Sequence, residues 1–226
     1  MIRVVALVGA CAAAAHATPI VYDPSLGTLP TAQGWNFPGS TLAGSAVSGG
    51  ILSYGPTTTA GTTYWTHTPA SQAMDFTQLT WTLSALVRLD GATFGNVSGF
   101  RRGGFNLSLR DDNGLWMHGE FGDSMAGLRN DNNGTSDPTH AVTLDDGFHL
   151  LTLEAGPAGG RLFIDGSLRL SLALGTGATG EGAFWGEAST LASAVRTDIA
   201  RVVLTPTPGA LALAAVGLLV AARRTR

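Results

Sequence analysis

Residues 145–174, DDGFHLLTLEAGPAGGRLFIDGSLRLSLAL, decide the fold. They divide into residues 150–155 (LLTLEA), a Gly/Pro turn at 156–160, residues 161–164 (RLFI), Asp165-Gly166, and residues 167–174 (SLRLSLAL). Asp-Gly between two short apolar runs predicts a two-residue type I′ hairpin, whose two central residues both need positive φ. In the last strand Leu168, Leu170, Leu172 and Leu174 alternate with Ser167, Arg169, Ser171 and Ala173. That is the period of two expected of a strand with one buried face. The first two strands alternate less regularly, and their register stays open.

The same grammar extends outward. Residues 79–88 (LTWTLSALVR) put Trp81, Leu83, Ala85 and Val87 on one face. Residues 105–110 (FNLSLR) alternate Phe105, Leu107 and Leu109 with Asn106, Ser108 and Arg110. The turn Asp111-Asp112-Asn113-Gly114 leads into residues 115–121 (LWMHGEF) as a second hairpin, and residues 198–204 (DIARVVL) form a last strand. Shorter strands are expected at 20–22 and 51–54, with an edge strand at 62–66. The body contains no amphipathic helical pattern. Short strands with turn signals every ~8–12 residues predict an all-β sandwich. Its expected core includes Leu83, Leu107, Leu109, Leu151, Leu153, Leu168, Leu170 and Val203.

The 226 residues suffice for one sizeable core, and 31 Gly with only 13% charged residues fit a turn-rich, sparsely charged body. Every basic residue is Arg. Residues 1–17 (MIRVVALVGACAAAAHA) read as a secretory signal peptide: Arg3, an apolar run at 4–15, and Ala15-His16-Ala17 before Thr18 as a signal peptidase site. A second reading takes Val8-Gly9-Ala10-Cys11 as a lipoprotein box. If the signal is removed, the single Cys leaves with it, and no disulfide enters the mature domain. The other end runs Thr205-Pro206-Thr207-Pro208-Gly209, then an apolar segment at 210–222, then Arg223-Arg224-Thr225-Arg226. That segment is expected to form a short apolar helix, below the ~20 residues a free-standing membrane span needs. A simple membrane anchor is the other reading of this tail. Both place the domain outside the cytoplasm, with the Arg cluster inside. Without its two ends the body has nine Arg against 16 acidic residues, a formal charge of −7. That sign argues against nucleic acid or anionic lipid as partner, and leaves membrane contact to the tail.

Two resemblances follow. Residues 205–226 resemble the exosortase-type PEP-CTERM sorting signal of Gram-negative bacteria, through Pro206, Thr207 and Pro208, the apolar run, and Arg223 and Arg224. Thr207 stands where that motif most often has Glu. The resemblance implies processing by an exosortase-type enzyme. Within the body, WTLSALVRLDG, GGFNLSLRDDNG, DDGFHLLTLEAGPAGGRLFIDG and DIARVVL are, in that order, similar to laminin-G-like domains of the concanavalin-A-like lectin/glucanase class. This likeness spans residues 80–204 and implies a two-sheet antiparallel jelly-roll sandwich over residues 18–204. It is nearly silent on activity, because fold does not fix function.

Candidate chemistry is sparse. Glu120 and Asp123 lie three apart at a strand end, which sends them to opposite faces, whereas retaining glycoside hydrolysis wants two carboxyls ~5 Å apart. Asp131, Asn133, Thr135 and Asp137 offer oxygen at alternate positions, as a Ca²⁺ loop would, but without the Gly and closing Glu of an EF-hand. Asp111-Asp112-Asn113 is the alternative oxygen cluster, and all these residues are also ordinary turn formers. His149 reads as a packed or hydrogen-bonded structural side chain, while His67, His118 and His140 make no metal spacing. No G-x-S-x-G elbow occurs. Trp81 reads as core. Trp65, Trp116 and Trp185 are the candidates for stacking against a sugar, and Trp35 is a further aromatic of the mature chain. The expectation is therefore an exported, non-catalytic surface module that binds glycans. The alternatives are a divergent glycoside hydrolase of the same superfamily and a structural envelope protein without a small ligand.

Overall fold

The computed structural model describes residues 18–207, except 41, 43, 56–61, 71–72, 98–99, 131–136 and 188–195. The signal peptide, the apolar tail helix, Pro208, Arg223, Arg224, Asp131 and Asn133 lie outside the described residues. Two antiparallel sheets make the body. The first holds β1 (Ile20–Tyr22), β2 (Ala46–Ser48), β3 (Ile51–Tyr54), β5 (Thr80–Asp90), β12 (His149–Gly156), β13 (Gly159–Ile164), β14 (Ser167–Leu172) and β17 (Arg196–Thr207). Its order is β14-β13-β12-β5-β17-β3-β2, with β1 alongside β17. The second holds β4 (Thr63–His67), β8 (Phe105–Arg110), β9 (Leu115–Phe121), β10 (Met125–Arg129), β11 (Thr139–Ala141), β15 (Gly175–Thr176) and β16 (Gly182–Glu187). Its order is β11-β10-β9-β8-β16-β4, with β15 alongside β9. A separate hairpin pairs β6 (Phe94–Val97) with β7 (Phe100–Gly103). The fold is a jelly-roll sandwich. Among the described residues no helix is long and apolar enough to cross a membrane.

The Asp165-Gly166 turn forms as its residue types require, with φ of 51° and 74°. It sets β13 against β14, and the register of β12 follows: Leu151 opposite Ile164 and Leu153 opposite Leu162. On the other side of β12, Leu151 meets Ala85 and Leu153 meets Leu83. These side chains enter one core with Phe105, Leu107, Leu109, Met117, Trp65 and Trp185 of the second sheet. Trp81 is buried there too.

Two bulges change which residues reach that core. Between Leu162/Phe163 and Leu170/Leu168 the β13–β14 register shifts, leaving Arg169 as the extra residue. Leu170 pairs with core-facing Leu162, while Leu168 pairs with Phe163 on the outer face. Leu168 is 55% exposed and Leu170 only half-buried, which corrects the expectation that both are core. An extra residue reverses the side-chain direction of everything beyond it. A second shift, at Ala200, has the same effect on β17. Ile199, Val202 and Leu204 are buried, and Val203 faces outward and is half-buried, contrary to expectation. β17 continues past Leu204 by pairing Thr205, Pro206 and Thr207 with Thr82, Trp81 and Thr80 of β5. Because β1 stops at Leu204, the strand has β5 as its one neighbour there, a position that tolerates a residue without N–H.

Candidate functional site

Alternation along β8 and β9 sends Asn106, Ser108, Arg110, Trp116, His118 and Glu120 away from the core, onto the outer face of the second sheet. Cross-strand pairing arranges them in rows. Thr66, Phe184, Ser108, His118 and Arg129 form one row, and Tyr64, Gly186, Asn106, Glu120 and Gly127 the next. Arg110 and Trp116 pair in a third. An outer face rich in polar groups is ordinary, but this one is covered. Ser108, His118, Glu120, Arg129 and Trp116 are all buried, Glu120 to 1% exposure.

Burial forces these groups to satisfy one another. Glu120 and Arg129 form an ion pair at 3.0 Å. The Ser108 hydroxyl lies 3.4 Å from His118 Nε2. His118 meets Trp116 and Phe184 edge-on at 4.7 and 5.1 Å, and the Arg129 guanidinium lies 5.7 Å from the Trp116 ring centre. At one end of the cluster, Phe94 of β6 lies over Gly127, where a Cβ would strike its ring. A tight crevice there is lined by Phe94, Glu120, Arg129, Asp137, Pro138 and Thr139.

At the other end the face opens into a pocket of about 190 Å³ between Arg110, Trp116, His118 and residues 176–179. Three bonds hold that wall in place. Trp116 Nε1–H donates to the Thr176 carbonyl at 3.4 Å, Arg110 Nη1–H to the Thr179 carbonyl at 3.4 Å, and Ala178 N–H to the Gly114 carbonyl at 3.1 Å. Gly175 permits the approach, since a Cβ there would collide with the Asn130 carbonyl. A roomier cavity, about 540 Å³, lies elsewhere, between Phe76, Leu115, Leu174 and the 156–159 turn. It carries no ionisable side chain, so its size does not make it the candidate.

The expected site residues divide sharply. Trp65 and Trp185 are fully buried and stack on each other at 4.5 Å inside the core, so neither can present a face to a sugar. Trp35 packs edge-on against Trp185 in the same cluster. Trp116 alone of the three candidates belongs to the outer face. Asp137 joins the Glu120 crevice. Asp111 is taken up by the backbone: its carboxylate accepts N–H groups of Leu115, Asn113 and Phe76 at 2.7, 3.0 and 3.2 Å. Asp123 likewise accepts the Ala92 N–H at 2.8 Å, and burial pushes its pKa up. No three His, Cys, Asp or Glu side chains among the described residues converge as a metal site requires.

Glu120 and Asp123 take separate partners: Glu120 is buried against Arg129, and Asp123 accepts the Ala92 N–H. The informative spacing was Trp116-x-His118-x-Glu120, three chemistry-bearing side chains at alternate positions of one strand and therefore on one face.

No family model matches the chain, and no curated protein matches it in sequence. Among solved structures it is similar to the Crh5 transglycosylase in complex with NAG, with a TM-score of 0.52, 9% identity, and coverage of 84% of this chain and 88% of that one. It is also similar to a carbohydrate esterase from Shiga toxin-encoding bacteriophage phi24B, with a TM-score of 0.53, 14% identity, and coverage of 84% and 98%. At these identities the likeness is one of fold, a two-sheet antiparallel jelly roll. The expectation of a non-catalytic module does not stand. Both neighbours are named as enzymes, one a transglycosylase and one a carbohydrate esterase.

Proposed function

We propose that the chain is an exported, carbohydrate-active enzyme whose substrate enters the outer face of the second sheet at its open end, beside Trp116. The observation that carries this is the alternation of Trp116, His118 and Glu120 on β9, with Glu120 held against Arg129 out of solvent. Glu120 is the carboxyl group placed for general acid–base work, and Arg129 orients it. Trp116 supplies an apolar ring at the open end, where a sugar enters, and His118 lies between ring and carboxylate. The fold-sharing carbohydrate enzymes support the glycosidic or glycan-ester bond as target class. Passage across the inner membrane through residues 1–17, and a tail at 205–226 handled by an exosortase-type enzyme, are parts of the same proposal.

The test uses the mature full-length protein and a panel of soluble polysaccharides, with new chain ends and released acyl groups as readouts. The wild type should turn over at least one of them. Glu120→Gln should slow that reaction by about 10²-fold or more. His118→Asn, which leaves the ion pair intact, should slow it without a large loss in melting temperature. Absence of turnover on every glycan, or full activity in Glu120→Gln, would overturn the proposal.

A further inference from the structure

Among the described residues, four arginines hold carboxylates, and Arg110 does not. Arg129 pairs with Glu120, Arg88 and Arg196 both hold Asp198, and Arg161 pairs with Glu154. Arg110 pairs with no acidic group among the described residues. Its guanidinium lies 5.1 Å from the Phe184 ring centre, and its one hydrogen bond is the 3.4 Å contact to the Thr179 carbonyl. Its Nε is buried and without an acceptor. Burial pulls the Arg110 pKa down. A half-buried guanidinium with no carboxylate beside it keeps donors that a ligand anion can take up.

The pocket beside Arg110 has the matching chemistry. Its walls are Arg110, Trp116, His118, Thr176, Gly177, Ala178 and Thr179, and none of them is acidic. The local sign is therefore opposite to that of the acidic body. At about 190 Å³ it is smaller than a site for a drug-sized ligand and suits a single sugar residue. The guanidinium fork matches a carboxylate or sulfate, and the Trp116 indole lines the same pocket.

We infer that the Arg110–Trp116 pocket is a subsite for an acidic sugar residue, bound through its carboxylate or sulfate group. This rests on the carbohydrate reading above and adds the substrate class to it.

Calorimetric titration of the mature protein tests it with three oligosaccharides: an oligogalacturonate, the same oligomer reduced to neutral galactose units, and a sulfated galactan oligomer. At least one acidic oligomer should bind about tenfold or more tighter than the neutral one, and weaken as salt rises from about 20 to about 200 mM. The carboxylated and sulfated arms identify the group that is recognised. Arg110→Gln should abolish the preference, and Arg110→Lys should restore part of it, with melting curves confirming that both variants fold. If the neutral oligomer binds equally well, or Arg110→Gln retains the preference, the subsite is overturned and the carbohydrate reading survives. If none of the three binds and no glycan of the wider panel is turned over, both fall.

Discussion

On the outer face of the first sheet, Asp198 is buried while Arg88 and Arg196, which hold it, are 43% and 54% exposed. On the outer face of the second, Glu120 and Arg129 hold each other at 2% and 8% exposure. Strand alternation is the same in both. The difference lies above the sheet: the first face is open to water, whereas the second is closed over its polar groups at one end and leaves a pocket at the other. In the first, the arginines that hold the carboxylate keep their water. In the second, both partners of the ion pair are desolvated, which a face serving only solubility would not require. Hence the second face is the place to look for chemistry.

The largest effects should come from what is desolvated. Arg129→Met, which strands Glu120, should cost about 3–5 kcal/mol, while Arg161→Met at the Glu154 pair of the first sheet should cost at most about 1 kcal/mol. Equal losses in urea melts would remove the contrast between the faces. Trp185→Ala should likewise cost about 3–5 kcal/mol, as a ring lost from the core. Trp116→Ala should be the milder change in stability but the severer one in glycan binding. The reverse pattern would return Trp185 to the ligand site.

Next come the bulges. Leu162→Ala should cost about 2–5 kcal/mol and Leu168→Ala less than about 0.5 kcal/mol, although both leucines sit in one hairpin. A comparable loss at Leu168 would mean that its face is covered. Gly166→Val places a β-branched residue at φ 74° and should cost about 1–3 kcal/mol in thermal melts.

The smallest effect concerns pH. His149 lies 2.8 Å from Asp165 and 2.7 Å from Asp146. Desolvation lowers its pKa, but the two carboxylates outweigh it and the net shift is upward. Asp165 shifts downward, against its own desolvation, through His149 and the Leu150 N–H. Stability contributed by a raised His is complete below its unfolded pKa of ~6.5 and disappears as pH rises through the higher folded value. Melting temperature should therefore fall across that window in the wild type and less so in His149→Gln, with a difference under about 1 kcal/mol. Asp165→Asn should flatten the same window, because it removes the charge opposite His149. Identical pH profiles for all three proteins would dissolve the cluster.

Local signals carried most of the fold. Asp165-Gly166 needs only its own residue types to form a type I′ turn, and Leu83, Leu107, Leu109, Leu151 and Leu153 reach the core through simple alternation. His149 was legible as a hydrogen-bonded side chain, and so was the hairpin that joins β8 to β9. The exposed Leu168 and outward Val203 were not legible, because a bulge is a property of two strands and is decided by the partner that fixes the register. The candidate site lies between these cases. Trp116, His118 and Glu120 share a face by sequence alone, but alternation cannot say whether that face meets water, core or a covering loop. That was decided when the second sheet brought Arg129 beside Glu120, and residues 175–179 beside Trp116. Burial depends on what packs beside and over a strand, and those neighbours come here from the next strand for Arg129 and from a distant segment for residues 175–179.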